Sequence, residues 1–400
     1  MVAAALVKIL LSALAPASYS LREIVAWVEA SVSVGPWVTL DTQIYHFWRS
    51  VTLSDATGAD WWLAPPTTMP NDLRVLSLLL RLPSFMFDVA IAITLYFLVM
   101  ERASTREARL ASLLWFLNPY TVFAVEMLGV PDVATLFLTV LAVTFFYKKR
   151  IVLASLFLAA GIAIKLYPIL LLPPILLYCR RRLEIRCRSE LAFIFLSFLG
   201  LVGYLTWDFQ LGSALVIYVL TEYTSVTQPM SALFEYIVAT QISPAAIVLI
   251  VLYFAIWLFG KAGQITDVIL PVFLVYYTFS NPYPQYYVWA LPFLILDIIL
   301  VKRRHITFLT ALLAFVFVSW FSSSAGFLTP SGYSLLLIPL EAQNLPWYSQ
   351  SIRSFLQSST NSALLMPLVY AGLSAMTFIY ALEIIRYWFR AETGEPQPRR

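Results

Sequence analysis

Two ionisable residues stand inside apolar runs where hydrophobicity alone would not put them. They are Asp132, after FLNPYTVFAVEMLGVP, and Lys165, inside IVLASLFLAAGIAIKLYPILLLPP. A charge at the centre of a membrane helix costs about 2.5 to 3.5 kcal/mol on insertion scales, so one retained near lipid marks a functional site by default. A lysine can meet a phosphate as a compact point charge, although it can equally snorkel to lipid headgroups. Asp132 follows Pro131 at the start of a helix, where a carboxylate suits the dipole; the alternative is that it orients a substrate or Lys165. Together they suggest a polar cavity at the outer ends of short helices that handles a phosphate-bearing lipid.

Further candidates lie in the outer segments. Asp41, in TLDTQIYHFWRS, is a candidate general base, with a solvated loop position or a cap on a helix starting near Gln43 as the plainer reading. Glu23, Glu29 and Asp60 compete with it. Asn281, Gln285, Tyr286 and Tyr287 crowd a helix break in SNPYPQYYVWALPF, and amides and phenols can bind sugar hydroxyls. Arg353 could reach a phosphate, and Tyr167 adjoins Lys165. Asp88, within an apolar helix, is expected to pair with Arg81 two turns away. Carboxylates near a phosphate would admit Mg or Mn, but no clustered acidic set supports a metal, and His46 and His305 fall in different compartments. No Gly-rich phosphate loop is present.

The elements that must position these residues follow from composition. With 60% apolar residues, 12% charged residues and a mean hydropathy of +0.81, the 400-residue chain is not an ordinary water-soluble protein. The expected fold is an all-α polytopic membrane bundle of about twelve transmembrane helices, near 3–18, 78–100, 109–125, 132–147, 151–164, 167–179, 190–207, 244–260, 267–279, 287–301, 306–323 and 362–387. The first is taken as a helix rather than a cleaved signal, because Lys8 interrupts it and no charged leader precedes it. Of the 26 Lys and Arg residues, only Arg22, Arg49, Arg74, Arg81, Lys165 and Arg353 miss the predicted inner side, so both termini are expected to be cytoplasmic. The membrane could be that of the cell or of the endoplasmic reticulum.

The organisation is a single integral-membrane domain over residues 1–390 with a polar tail at 391–400. Outer loops fall at about 17–77, 208–243 and 325–361 and should carry interfacial helices. Only 28 residues separate Arg150 from Cys179, so two short helices with their tip near Lys165 are expected there. Cys179 and Cys187 flank an inner segment, where a disulfide is not expected.

In their order, four landmarks resemble the GT-C integral-membrane glycosyltransferases, and within them the polyprenyl-phosphate-sugar-dependent mannosyltransferases typified by the first GPI mannosyltransferase and its archaeal relatives. The landmarks are TLDTQIYHFWRS; LRLPSFMFD; LNPY with GVPD and IKLYP; and SNPYPQYYVWALPF. The chain departs from that pattern at Gly129-Val130-Pro131-Asp132, where the family commonly has Gln. The resemblance implies a GT-C-like bundle and transfer of a sugar, most simply mannose, from a polyprenyl phosphate to a lipid-linked or protein-linked glycan. In that scheme Asp41 is the base, and Lys165 meets the donor phosphate with Tyr167, Asp132, Asn281, Gln285, Tyr286 and Arg353 around it. The implied partners are the sugar-phosphate donor, a glycolipid or glycan acceptor, membrane lipids and an accessory subunit, with no nucleic acid. A transporter or lipid-linked-sugar flippase is the rival class. A non-catalytic scaffold or assembly partner ranks third.

Overall fold

The structure is a computed structural model. It describes residue 8, residues 36–52, 71–127, 132–182, 187–207, 244–259, 264–279 and 284–302, positions 307, 309, 310 and 314, and residues 371–387. All regular structure among the described residues is helical. The helices are α1 (Pro36–Thr52), α2 (Asn71–Met100), α3 (Thr105–Phe116), α4 (Asp132–Tyr147), α5 (Ile151–Ile164), α6 (Leu172–Arg182), α7 (Cys187–Trp207), α8 (Pro244–Phe259), α9 (Thr266–Phe279), α10 (Leu291–Leu296) and α11 (371–387). Short 3-10 turns at Tyr167–Leu171 and Pro284–Trp289 and π-turns at Val122–Met127 and Asp297–Val301 interrupt them.

Within α2, the 23 residues Leu78–Met100 form a helix long and apolar enough to cross a membrane. Shorter apolar helices include Asp132–Tyr147, Ile151–Ile164, Ala192–Tyr204, Ile247–Ile256 and Thr266–Phe279. At about 1.5 Å per residue, a helix of sixteen reaches only about 24 Å, less than the hydrocarbon thickness of about 30 Å. Hydroxyls on these short helices bond back to their own carbonyls: Thr139 to Thr135 and Thr144 to Val140 at 2.8 Å, and Ser155 to Ile151 at 2.7 Å. That pattern lets a polar side chain sit in apolar surroundings without a distant partner.

The chain divides into two compact units. One comprises Met1–Ile93, Ser112–Ala134 and Leu312–Ala371. Within it the Lys8 ammonium lies 2.7 Å from Asp88 Oδ2, with the two residues 1% and 0% exposed. The same ammonium sits 4.4 Å from the centre of the Phe116 ring, and the Trp115 indole N–H donates to the Asp88 carbonyl at 3.2 Å. The expected Arg81 partner for Asp88 is thus replaced by Lys8, which is not an exposed inner-side charge. Arg81 is itself buried.

In the same unit, the helix expected over 109–125 breaks at Asn118. Pro119 has no N–H to offer the Trp115 carbonyl, and the Thr121 hydroxyl fills that place at 2.8 Å. The Asn118 side chain accepts the Tyr120 N–H at 2.8 Å, capping the new turn.

The second unit comprises Thr94–Ala111, Thr135–Ala311 and Gly372–Arg400. Helix α5 packs closely on α7. A Cβ added at Gly200 would stand 2.4 Å from the Ala159 carbonyl oxygen and 2.8 Å from its Cα, whereas one at Gly203 would meet the Ala163 Cβ at an ordinary 3.6 Å. Small residues permit such an approach between helices. Gly200→Ala is therefore expected to force the pair apart at a cost of about 1 to 3 kcal/mol, while Gly203→Ala leaves stability near wild type. Thermal melting of both variants in one detergent checks this; equal melting temperatures would refute the close approach.

Polar contacts pin other helices of this unit. The Thr278 hydroxyl lies 2.7 Å from that of Thr377, joining α9 to α11. Buried Asp297 accepts hydrogen bonds from Thr307 at 3.1 Å and from the Tyr380 hydroxyl.

Candidate functional site

The local sequence around Lys165 explains its position. Helix α5 ends at Ile164, and Lys165 takes an extended conformation, φ −151° and ψ 137°, while its N–H still bonds Gly161 O at 3.0 Å. Pro168 then opens the 3-10 turn Tyr167–Leu171, which leads into α6. The Tyr253 hydroxyl of α8 donates to the Leu170 carbonyl at 2.8 Å and ties this turn down. The break thus falls at the expected tip.

A second 3-10 turn, Pro284–Trp289, supplies the facing aromatic surface. Side chains three apart eclipse in a 3-10 helix, and Tyr286 and Trp289 accordingly stack, with centroids 4.4 Å apart and planes at 21°. Tyr167 stacks on Trp289 at 4.0 Å and 6°. Helix α9 adds Phe273, Tyr276 and Tyr277 behind them: Tyr276 lies 6.1 Å from Trp289, and the Tyr277 hydroxyl donates to the Tyr286 carbonyl at 2.9 Å.

The Lys165 ammonium stands 4.8 Å from the Tyr286 ring centre and 5.8 Å from that of Trp289. An ammonium over an aromatic face is attracted by the ring quadrupole. Trp289 and Tyr167 are buried, whereas Lys165 and Tyr286 are half-buried. The accessible part of the arrangement is therefore one cation beside one phenol, backed by a rigid aromatic wall. Chemically it can hold an anionic group and lay an apolar or sugar face against a ring.

The structure brings together Lys165, Tyr167 and Tyr286 of the predicted residues, and it assigns Tyr167 to the wall. Gln285 belongs to the second 3-10 turn. Asp132 opens α4 and is buried in the first unit, while Lys165 belongs to the second. Asp41 lies in the second turn of α1, which begins at Pro36, so it caps no helix starting at Gln43. Asn281, Arg353, Glu23, Glu29 and Asp60 lie outside the described residues, as do the outer segments 208–243 and 325–361 and the tail 391–400. Among the described residues, no three His, Cys, Asp or Glu side chains gather where they could hold a metal ion. Trp289, the ring on which the site is built, was missed. Its spacing from Tyr286 after a proline-rich break was the available signal.

Residues 66–224 match the family GPI transamidase subunit PIG-U. The match takes in Asp88, Asn118, Asp132, Lys165 and Tyr167, and covers about two-fifths of the chain. No curated protein and no solved structure matches the chain.

The PIG-U match corrects the sequence-based reading of the activity. A transamidase exchanges amide bonds and moves no sugar from a polyprenyl phosphate. The expected mannosyltransferase activity is overturned. The transporter or flippase alternative falls with it. Of the four landmarks that resembled the mannosyltransferases, LRLPSFMFD and the LNPY, GVPD and IKLYP set lie inside the matched segment, where the similarity runs to a transamidase subunit, and TLDTQIYHFWRS and SNPYPQYYVWALPF lie outside it.

Proposed function

We propose that the chain is a non-catalytic, multi-pass membrane subunit of a transamidase complex, and that it holds a phosphate-bearing glycolipid at Lys165 while another subunit exchanges the amide. The single observation that carries this reading is the Lys165 ammonium poised 4.8 Å over Tyr286 at a helix break inside the PIG-U-like segment. A phosphate would pair with the ammonium, and the glycan would lie along Tyr286. Asn281, Gln285 and Arg353 are proposed to meet the sugar or a second phosphate, and Asp132 to order the helix start nearby in sequence.

The proposed architecture is a GT-C-like bundle of about twelve helices in one membrane domain, residues 1–390, with cytoplasmic termini. Exposed apolar stripes support a lipid-facing exterior: Phe195, Phe198, Leu199 and Val202 on α7, and Ile250, Val251, Phe254 and Leu258 on α8. Contiguous apolar surface of this kind suits lipid or protein contact better than water.

The test is purification of the tagged full chain from its own membranes in mild detergent, with identification of co-purifying proteins and glycolipids and an assay of amide transfer. Wild type should bring partner proteins and a phosphoinositol glycolipid. Lys165→Met should keep the proteins but retain roughly tenfold to a hundredfold less glycolipid, the range for losing one charge-assisted hydrogen bond. A chain that purifies alone, and whose depletion leaves amide transfer intact, would overturn the proposal.

A further inference from the structure

Among the described residues, the non-glycine residues with positive φ are Lys149 at 56° and Lys302 at 68°. Both are exposed lysines at the end of an apolar helical segment. Any residue with a Cβ is strained in this conformation, which glycine adopts freely.

At Lys149 the surrounding hydrogen bonds are those of a Schellman cap. The Arg150 N–H bonds Phe145 O at 2.9 Å, and the Lys149 N–H bonds Phe146 O at 3.0 Å. Glycine is the usual residue at that position. The chain accepts strain there and gains a cation.

That cation joins others. The loop after α2 and the loop after α4 are fastened together: Lys148 pairs with Glu101 at 2.6 Å, and Arg102 donates to the Tyr147 carbonyl at 3.0 Å while its guanidinium lies over the Tyr147 ring. Glu107 is occupied in a reciprocal cap with Ser104 at the start of α3. Both acidic side chains are thereby engaged. Arg106, Arg109, Lys149 and Arg150 are exposed, and among the described residues they have no ion-pair or hydrogen-bonding side-chain partner. Arg106 and Arg109, three apart, share one face of α3.

We infer that Arg106, Arg109, Lys149 and Arg150 form a binding surface for the headgroups of anionic phospholipids. Four unengaged cations, Lys149 and Arg150 in the fastened loop after α4 and Arg106 and Arg109 at the start of α3, complement a negatively charged leaflet, where each basic side chain near the surface contributes about fivefold to binding. Orientation by positive charge would need only that the cations exist. It would not need one held in a strained position that glycine fills better.

This inference rests on the membrane reading of the previous section, so the experiment separates the two. The tagged full chain is first extracted from its membranes with alkaline carbonate. Release into the soluble fraction would overturn both readings. If the chain stays with the membrane, detergent-purified protein is equilibrated with mixed phosphatidylcholine and phosphatidylglycerol, and retained lipid is counted by native mass spectrometry. Wild type should prefer phosphatidylglycerol. Lys149→Gly should weaken that preference about fivefold while melting no lower than wild type, and the triple variant Arg106→Gln/Arg109→Gln/Arg150→Gln should weaken it by roughly two orders of magnitude. An unchanged preference in Lys149→Gly, or none in wild type, would overturn the lipid surface and leave the transamidase proposal standing.

Discussion

Replacing Lys8 with methionine is expected to destabilise the protein by about 3 to 5 kcal/mol, the cost of stranding one charge of a buried pair. Asp88 is fully buried, its Oδ2 meets Lys8 at 2.7 Å, and its Oδ1 has no hydrogen-bond partner among the described residues. Lys8 therefore supplies the ionic compensation identified for that carboxylate, and the Phe116 ring beneath the ammonium offers nothing to an anion. Asp88→Asn is expected to cost less, because the amide keeps an acceptor for Lys8. The double variant Lys8→Met/Asp88→Leu should recover most of the loss, since apolar replacement of a whole buried pair is commonly neutral or stabilising. Unfolding of the four proteins by a denaturing detergent, under one set of conditions, checks this order of stabilities. A Lys8→Met protein as stable as wild type would show that the pair contributes nothing.

That pair also marks where reading the sequence reaches its limit. Apolar runs bounded by charge placed α4 and α5 at 132–147 and 151–164, because the Pro131-Asp132 start and the KKR stop act locally. Helix α2 begins seven residues before the expected 78, since its first two turns, NDLRVLS, are amphipathic and carry no strong hydropathy signal. The run expected at 287–301 divides into a 3-10 turn, a six-residue helix and a π-turn, a consequence of prolines and bulky rings crowded into NPYPQYYVWALP. Lys8 and Asp88 stand 80 residues apart, so no local spacing rule could join them, and the nearer Arg81 was the natural choice.

The site was partly legible for the same reason. Lys165, Tyr167 and Tyr286 stand out as polar or aromatic residues at proline breaks, and those breaks are local. The reaction was misjudged because the landmarks are structural punctuation. In LNPY, Asn118 caps a turn and Pro119 ends a helix, and Thr121 just after it takes over a freed carbonyl; in IKLYP, the chain leaves one helix and enters a 3-10 turn. Punctuation of this kind fixes a scaffold of short helices, and one scaffold can serve several chemistries.

Trp289→Ala should have the second large effect, a loss of about 3 to 5 kcal/mol, the range for deleting a buried aromatic side chain. Trp289 is 1% exposed and stacks with Tyr167 and Tyr286, whose centroids lie 4.0 and 4.4 Å away. Without it both tyrosines lose a ring partner, and the tie between the 3-10 turn after α5 and the one before α10 is cut. Trp289→Phe, which keeps a stackable ring, should recover a large share. The contrast with Lys165 matters most. Its ammonium is half-buried, and a cation over a ring at such a site is worth only about 0.5 to 1 kcal/mol, so Lys165→Met should melt close to wild type while losing the glycolipid. If wall and cation have these separate roles, Trp289→Ala lowers both melting temperature and glycolipid retention, and Lys165→Met lowers retention alone. Equal melting losses in the two variants would mean that Lys165 is a structural member of the cluster, and would remove the cation from the binding site.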